Sequence, residues 1–153
     1  MNIEIDFEGK RYPVEIPQGD STEQLLTLTA GENAVYQGDE IEVPLIEIAH
    51  ARSGDKGNHS NIGVIARKAD YLPWIRAALT EQSVASYMQH VLDAEKGRVI
   101  RYELPGLNAL NFMLENALGG GGVASLRIDP QGKAFAQQLL DMPVKVPAHL
   151  LEK

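Results

Sequence analysis

The central stretch of the chain reads LIEIAHARSGDKGNHSNIGVIA over residues 45–66. Its first part is almost continuously apolar and predicts a strand over residues 43–51 that is buried on both faces. A second apolar run, residues 62–66, predicts another core strand. Residues 52–61 between them are turn formers and polar side chains. They predict a loop that joins the two strands.

Downstream of this stretch the signals for helices and strands alternate. Asp70 caps a predicted helix that ends near residue 79, and Thr80 caps a second helix that runs to Asp93. Residues 99–102 predict a strand. Four apolar residues then recur at helical spacing and predict an amphipathic helix over residues 107–117; they are Leu107, Leu110, Leu114 and Ala117.

The C-terminal part contains a run of four glycines, residues 119–122. Residues 123–128 after it predict a strand, and residues 129–132 predict a turn. A last helix presents Phe135, Leu139 and Leu140 to the core, and an extended tail follows it at residues 143–147. This alternation indicates an α/β or α+β sandwich with helices on one face of a small sheet, and we predict the α+β class.

The N-terminal residues have a different pattern. Apolar and polar residues alternate over residues 3–7 and again over residues 12–16, which predicts a β-hairpin. Residues 21–31 predict a short helix. The acidic, glycine-containing segment 31–42 is the predicted boundary, so we expect an N-terminal hairpin extension at 1–42 and the main domain at 43–147.

The composition excludes several classes of function. The chain has 153 residues and a formal net charge of -7, which disfavours nucleic acid and anionic lipid as partners. It has no cysteine, so disulfides, thiolate nucleophiles and zinc–thiolate sites are excluded. We see neither a signal peptide nor a membrane-spanning run, and we expect a cytoplasmic protein.

Residues 52–61 are the first candidate site. Gly54 and Gly57 allow backbone amides to point into one concavity, and Arg52 and Lys56 add positive charge, a combination that holds anions. A tight loop in which polar side chains satisfy their own turns is the alternative. The glycine run is the second candidate, because Gly119, Gly120, Gly121 and Gly122 imply close approach of another group. The two loops meet at one sheet end if the later crossovers return parallel.

Catalytic and metal sites have weaker signals. Asp55 and His59 are the candidates for a general acid or base, but adjacent residues rarely supply a working triad. The four histidines, at positions 50, 59, 90 and 149, form no H-x-x-x-H pair, so we predict no metal site. The residues do not identify a cofactor.

Several unusual strings occur in one order along the chain. They are AHARSGDKG with NIG, YLPWIR, YELPGLNALNF, and LGGGG through SLRIDPQGK. Over about residues 43–147 the chain resembles the small ferredoxin-like domain associated with the acyclic terpene utilisation protein AtuA. This resemblance implies a ferredoxin-like fold and bacterial terpenoid or branched-chain acyl-CoA breakdown. It also implies that residues 52–57 and Asn61 matter most.

Three hypotheses follow. In the first, the chain is an accessory or binding subunit of a large AtuA-like chain, and Gly-rich loops complete a site for an acyl-CoA or another anion. The predicted ligand residues are Arg52, Ser53, Gly54, Asp55, Lys56, Gly57, Asn61, Gly119, Gly120, Gly121 and Gly122. The second is an acyl-CoA hydratase or hydrolase that uses Asp55 or His59. The third is a structural oligomerisation domain, which would form a homo-oligomer.

Overall fold

The computed structural model describes residues 3–14 and 38–151. By its internal contacts the chain divides into two compact units, Met1–Glu32 and Asn33–Lys153. The division that the sequence predicts after residue 42 stays a prediction.

The first unit contains the predicted hairpin. Strand β1 (Ile3–Phe7) pairs antiparallel with β2 (Lys10–Val14). Glu8 and Gly9 form the turn, with φ of 51° and 72°. Positive φ at both central residues is typical of a type I′ turn, one of the favoured two-residue hairpin turns. The helix predicted over residues 21–31 lies outside the described residues.

Residues 38–151 of the second unit form a layered α+β structure, which confirms the predicted class. Its elements in chain order are β3 (Glu40–Pro44), β4 (Ala49–Lys56), β5 (His59–Ala66), α1 (Leu72–Ala78), α2 (Glu81–Tyr87), β6 (Arg98–Leu104), β7 (Ala109–Glu115), α3 (Phe135–Leu140) and β8 (Pro143–Pro147). Four strands form one antiparallel sheet in the order β4-β5-β7-β6, and β3 pairs with β8 in a separate antiparallel ribbon.

The hydrophobic core lies between the helices and one face of the four-stranded sheet. Ile62, Phe112 and Leu114 of the sheet are fully buried in one cluster with Val84 of α2 and Leu139 of α3. Thr80 begins α2 as predicted, since its side chain accepts a hydrogen bond of 3.0 Å from the Ser83 amide. Single 3₁₀ turns occupy Leu45–Glu47, Ala69–Tyr71 and Ala148–Leu150.

The other face of this sheet, here called the open face, carries side chains that are exposed or half-buried. They are His50, Arg52, Lys56, His59, Asn61, Ile65, Arg98, Ile100, Tyr102, Leu104, Asn111 and Met113. Within residues 3–14 and 38–151, no helix combines the length and hydrophobicity needed to cross a membrane.

The predicted loop over residues 52–61 is wrong. β4 continues to Lys56, β5 begins at His59, and only Gly57 and Asn58 form the turn. The polar residues of this stretch alternate between a solvent-facing side and a side where small serines fit against the helices. A run of polar side chains therefore marks an open sheet face here, not a loop. The strand predicted over 43–51 is also interrupted, because the 3₁₀ turn Leu45–Glu47 separates β3 from β4.

The predicted helix over residues 107–117 is wrong as well. Residues 109–115 form β7, a central strand whose neighbours are β5 and β6. Leu110 and Leu114 fit both a helical and a strand spacing, and the buried Phe112 between them shows period two. The sheet is wholly antiparallel, so the expected parallel crossovers are absent from residues 38–151.

Three smaller predictions also fail. Asp70 does not cap α1, because it lies inside the 3₁₀ turn Ala69–Tyr71 and Tyr71 is the N-cap, without a side-chain hydrogen bond. Residues 123–128 form no strand, because Ala124 and Ser125 donate backbone hydrogen bonds of 2.9 and 3.0 Å back to the Gly121 carbonyl and curl the segment. Helix α2 ends at Tyr87 instead of Asp93. The strand at 99–102, the last helix and the extended tail are confirmed by β6, α3 and β8.

Candidate functional site

A depression of about 350 Å³ lies at the β4 edge of the open face. Side chains alternate along a strand, so Arg52 and Lys56 point to the same side of β4. We call this depression the cationic pocket. Its lining residues are Arg52, Ser53, Gly54, Lys56, Asn61, Gly63 and Lys133. Five of them belong to the ligand set that the sequence predicts.

Lys133 reaches the cationic pocket from the segment before α3. Its Nζ lies 3.1 Å from the position that a Cβ on Gly54 would occupy, and 3.7 Å from Asp55 Oδ1. The carboxylate of Asp129 holds this segment by accepting hydrogen bonds of 2.9 and 2.8 Å from the amides of Lys133 and Ala134. Because Gly54 has no side chain, the Lys133 ammonium fits against the edge strand at this point.

The pocket concentrates positive charge in an acidic protein. Three cations, Arg52, Lys56 and Lys133, line it, and the Asp55 carboxylate lies 3.7 Å from Lys133 Nζ. The Asn61 amide next to these cations donates a hydrogen bond of 3.1 Å to Asn111 Oδ1, which fixes its orientation. Nothing in the sequence near residue 52 points to Lys133, because the two are joined only by folding.

Ser53 has a structural role, although the sequence places it among the ligand residues. Its hydroxyl is buried, donates a hydrogen bond of 2.6 Å to the Gly132 carbonyl, and accepts one of 3.0 Å from the Ala136 amide. Ser60 is also buried and donates to the Gly54 carbonyl at 2.9 Å. The two serines tie β4 to the start of α3 and to β5.

The two candidate catalytic residues lie on opposite sides of the sheet. Asp55 pairs with Ser60 on the helix side, whereas His59 pairs with Lys56 on the open face. His59 Nδ1 accepts a hydrogen bond of 2.9 Å from the Asn116 amide, so its other ring nitrogen carries the hydrogen of the neutral form. The structure does not bring Asp55 and His59 together as an acid–base pair.

The glycine run meets the β4–β5 turn, although the parallel crossovers on which the sequence-based expectation depended are absent from residues 38–151. A Cβ on Gly121 would lie 2.5 Å from the Gly57 carbonyl oxygen. The Gly120 amide donates to Asn58 Oδ1 at 2.7 Å, and the Asn58 carbonyl accepts from Ala117 and Leu118 at 3.0 and 3.1 Å. The antiparallel placement of β7 beside β5 produces this meeting.

The backbone conformation of residues 119–122 explains why glycine occupies these positions. Gly119, Gly120, Gly121 and Gly122 all have positive φ, between 20° and 104°. Neither Gly57 nor the glycine run lines the cationic pocket. The run holds the β4–β5 turn, and the pocket lies further along the same edge.

A second depression of about 350 Å³ lies on the open face beside the first. We call it the apolar groove. Its lining residues are His50, Ala51, Arg52, Gly63, Val64, Ile65, Leu104, Leu107, Ala109 and Leu110. Arg52 and Gly63 line both depressions. Sequence reasoning missed this groove, because it treats residues 107–117 as a helix.

Ionised groups outside the pocket are held by local hydrogen bonds. The pKa of Asp93 is lowered because its carboxylate accepts from the amide of Lys96 at 2.8 Å and from that of Glu95 at 3.0 Å. A hydrogen bond from Arg98 lowers the pKa of Glu115 and raises that of Arg98. These hydrogen bonds favour the charged forms of Asp93, Glu115 and Arg98.

Metal ligands do not gather in the described residues. Within residues 3–14 and 38–151, no three histidine, aspartate or glutamate side chains lie close enough to hold an ion. His90 Nε2 lies 2.6 Å from Gln138 Oε1. His50 lines the apolar groove.

The family comparison agrees with the fold. The model of the AtuA ferredoxin-like domain matches residues 43–145, which is most of the chain. No curated protein and no solved structure matches the chain.

Proposed function

Because the chain belongs to the AtuA ferredoxin-like domain family, we propose that it is an accessory, ligand-binding subunit. It works with a larger AtuA-like chain in cytoplasmic terpenoid or branched-chain acyl-CoA breakdown, and it supplies a site for the anionic part of the ligand. The match over residues 43–145 supports the association with an AtuA-like chain.

The cluster of cations at the pocket carries the ligand part of this proposal. Arg52, Lys56 and Lys133 line one depression, and Asp55 contacts only Lys133 of these three, at 3.7 Å, in a chain whose formal net charge is -7. Like charges repel one another, so three cations at one depression favour an anion among them. An arginine fork and two ammonium groups suit a phosphate or a carboxylate.

A hydratase or hydrolase has less support. A general acid or base must lie within hydrogen-bond reach of the substrate atom that it protonates or deprotonates, and a second group usually orients it. Asp55 and His59 point to opposite sides of the sheet, and Nδ1 of the histidine is already bonded to the Asn116 amide. The accessory role therefore agrees better with the geometry.

Partner binding is supported by a separate surface. Three large apolar side chains after the glycine run are fully exposed: Val123, Leu126 and Ile128. We call them the apolar loop. Arg127 anchors this loop, since its guanidinium donates hydrogen bonds of 2.7 Å to the carbonyls of Val91 and Ala117. Exposed apolar patches usually mark surfaces that another protein covers.

The ligand part is tested by titrating the purified chain with coenzyme A and with pyrophosphate, by calorimetry. We expect Arg52→Ala and Lys56→Ala each to weaken binding roughly tenfold, the value of one charge-assisted hydrogen bond. Lys145→Ala, an exposed lysine on β8, is the control and should leave the affinity unchanged. Equal affinities for wild type and both pocket variants would refute the anion site.

A further inference from the structure

The cationic pocket and the apolar groove adjoin on one sheet face. They share Arg52 and Gly63, which are opposite each other in the β4–β5 register, with Asn111 of β7 next along the row. On one side of this row the lining is cationic, and on the other side it is apolar. A ligand that fills both depressions needs a charged end and an apolar chain.

We propose that the open face binds an amphipathic anion, with its carboxylate or phosphate head in the cationic pocket and its hydrocarbon chain in the apolar groove. This inference rests on the anion site of the proposed function and names the class of ligand for it. The head is held by Arg52, Lys56 and Lys133, and the chain lies against Ile65, Leu104 and Leu107.

Gly63 is the passage between the two depressions. A Cβ at Gly63 would have the Arg52 carbonyl oxygen at 3.9 Å as its nearest neighbour, an ordinary contact distance. Gly63 has the backbone conformation of a regular strand, which any residue can adopt. A side chain at this position would not strain the backbone, but it would fill the space above the sheet. Because Gly63 has no side chain, the space above it stays open at the point where the head and the hydrocarbon chain of the ligand would join.

The walls of the groove are apolar side chains without full cover. Ile65 is 45% exposed and Leu107 is 60% exposed, while Leu104 is half-buried. Depressions that bind small molecules are mostly apolar with a few placed polar groups, and their volumes begin at about 300 Å³. A hydrocarbon chain in the groove removes both its own surface and that of Ile65 and Leu107 from water.

The test compares anions of increasing chain length on the full chain, by calorimetry below the micelle concentration. The probes are acetate, inorganic phosphate, octanoate, decanoate, octyl phosphate and decanol. Each fully buried methylene strengthens binding by roughly fourfold, so decanoate should bind several times more tightly than octanoate. Decanol should bind more weakly than decanoate because it lacks the charged head. Octanoate against octyl phosphate shows which head the pocket prefers.

Gly63→Val is the decisive variant. Because Gly63 lines both depressions, the variant is judged by the ratio of its affinities for decanoate and octanoate, and this ratio should fall to about one. Leu107→Ser, at an exposed turn position, should reduce the same ratio and provides a second variant if Gly63→Val unfolds. Thermal unfolding by circular dichroism checks that each variant is folded.

The outcomes separate the two proposals. If acetate and phosphate bind but chain length has no effect, or if Gly63→Val keeps the wild-type ratio, the amphipathic ligand is refuted and the anion site stands. If none of the anions binds, both proposals fail. If the chain-length effect appears and Gly63→Val removes it, the open face is the ligand site.

Discussion

Gly121 packs directly on Gly57, so closely that a Cβ on Gly121 would lie 2.5 Å from the Gly57 carbonyl oxygen and 3.0 Å from the Asn58 amide nitrogen. The two residues are far apart in sequence, and their contact fastens the glycine run to the β4–β5 turn. The neighbour here is backbone, which has little room to move aside. Gly121 is therefore a position where both space and backbone conformation require glycine.

Gly121→Ala should lower the free energy of unfolding by roughly 2–4 kcal/mol, through positive-φ strain together with a backbone clash. Gly106→Ala is a matched control, because Gly106 has the same φ of 81° but no atom within 4 Å of its Cβ position. It should cost about 1 kcal/mol from φ strain alone. Chemical denaturation measures both, and equal losses would contradict the close packing on Gly57.

Gly54→Ala should weaken anion binding with little loss of stability. The added Cβ would lie 3.1 Å from Lys133 Nζ, the far end of a flexible side chain, so the ammonium moves away. We expect a severalfold loss of affinity for pyrophosphate, equal to that of Lys133→Ala, since a surface charge contact contributes about 1 kcal/mol. The double variant should bind like either single one. Additive losses would show that Gly54 acts other than through Lys133.

Ser53→Ala should destabilise the chain by about 1–3 kcal/mol, because the buried Ala136 amide loses its bond to the hydroxyl and the Gly132 carbonyl keeps only the longer bond of 3.4 Å from the Phe135 amide. Ser86→Ala, on the exposed side of α2, should have almost no effect. Denaturant titration of both variants is the measurement. An unchanged stability of Ser53→Ala, together with weaker anion binding, would make Ser53 a ligand residue after all.

The stability of the chain should fall in acid partly through Asp93. Its pKa is lower in the folded state than in the unfolded chain, because the carboxylate accepts the Lys96 and Glu95 amides. Its contribution is therefore complete above the unfolded value of about 3.9 and is lost as the pH falls through the folded value.

Asp93→Asn isolates this contribution. The variant should be less stable than wild type at pH 7, and the difference should vanish as the pH falls through the Asp93 pKa. Thermal melts from pH 7 to pH 2 make the comparison. A stability difference that stays constant over this range would mean that the charge of Asp93 is not the cause.

Leu126→Ser should reduce capture of a larger AtuA-like chain from the host when the tagged protein is used as bait. The side chain is fully exposed, so the variant should keep its stability in isolation. Ile46→Ser, at an exposed apolar position near the start of β4, is the control and should retain the partner. Mass spectrometry identifies what is captured. If Leu126→Ser instead abolishes a homo-oligomer, the oligomerisation hypothesis replaces the accessory role.

The class of the fold follows from the sequence, but its topology does not. Apolar periodicity locates α1, α2 and α3, because helix faces are local properties, and the Thr80 cap of α2 is confirmed whereas the Asp70 cap of α1 is not. Leu110 and Leu114 satisfy two periods at once, and only packing between β5 and β6 decides that residues 109–115 are a strand. Tertiary context settled the assignment of this segment.

In the candidate site, too, local sequence predicts some of the residues and tertiary packing alone brings in the others. Arg52 and Lys56 are recognisable in sequence because they lie four residues apart beside glycines. Lys133 enters the cationic pocket through the Asp129 turn and the gap at Gly54, and no local pattern encodes that approach. Asp55 and His59 are separated because side chains alternate along paired strands, and the sequence predicts a loop for these residues.

The long reach of Ser53 to the Gly132 carbonyl determines when the pocket can form during synthesis. The two residues are 79 positions apart, and the Ala136 amide that also binds Ser53 comes later still. A nascent chain that has produced β4 and β5 holds Arg52 and Lys56 without Lys133 or the anchors of the α3 segment. The proposed pocket is therefore complete only after residues 129–136 have been synthesised, and ligand added during translation should protect the chain from proteolysis only after α3 has emerged.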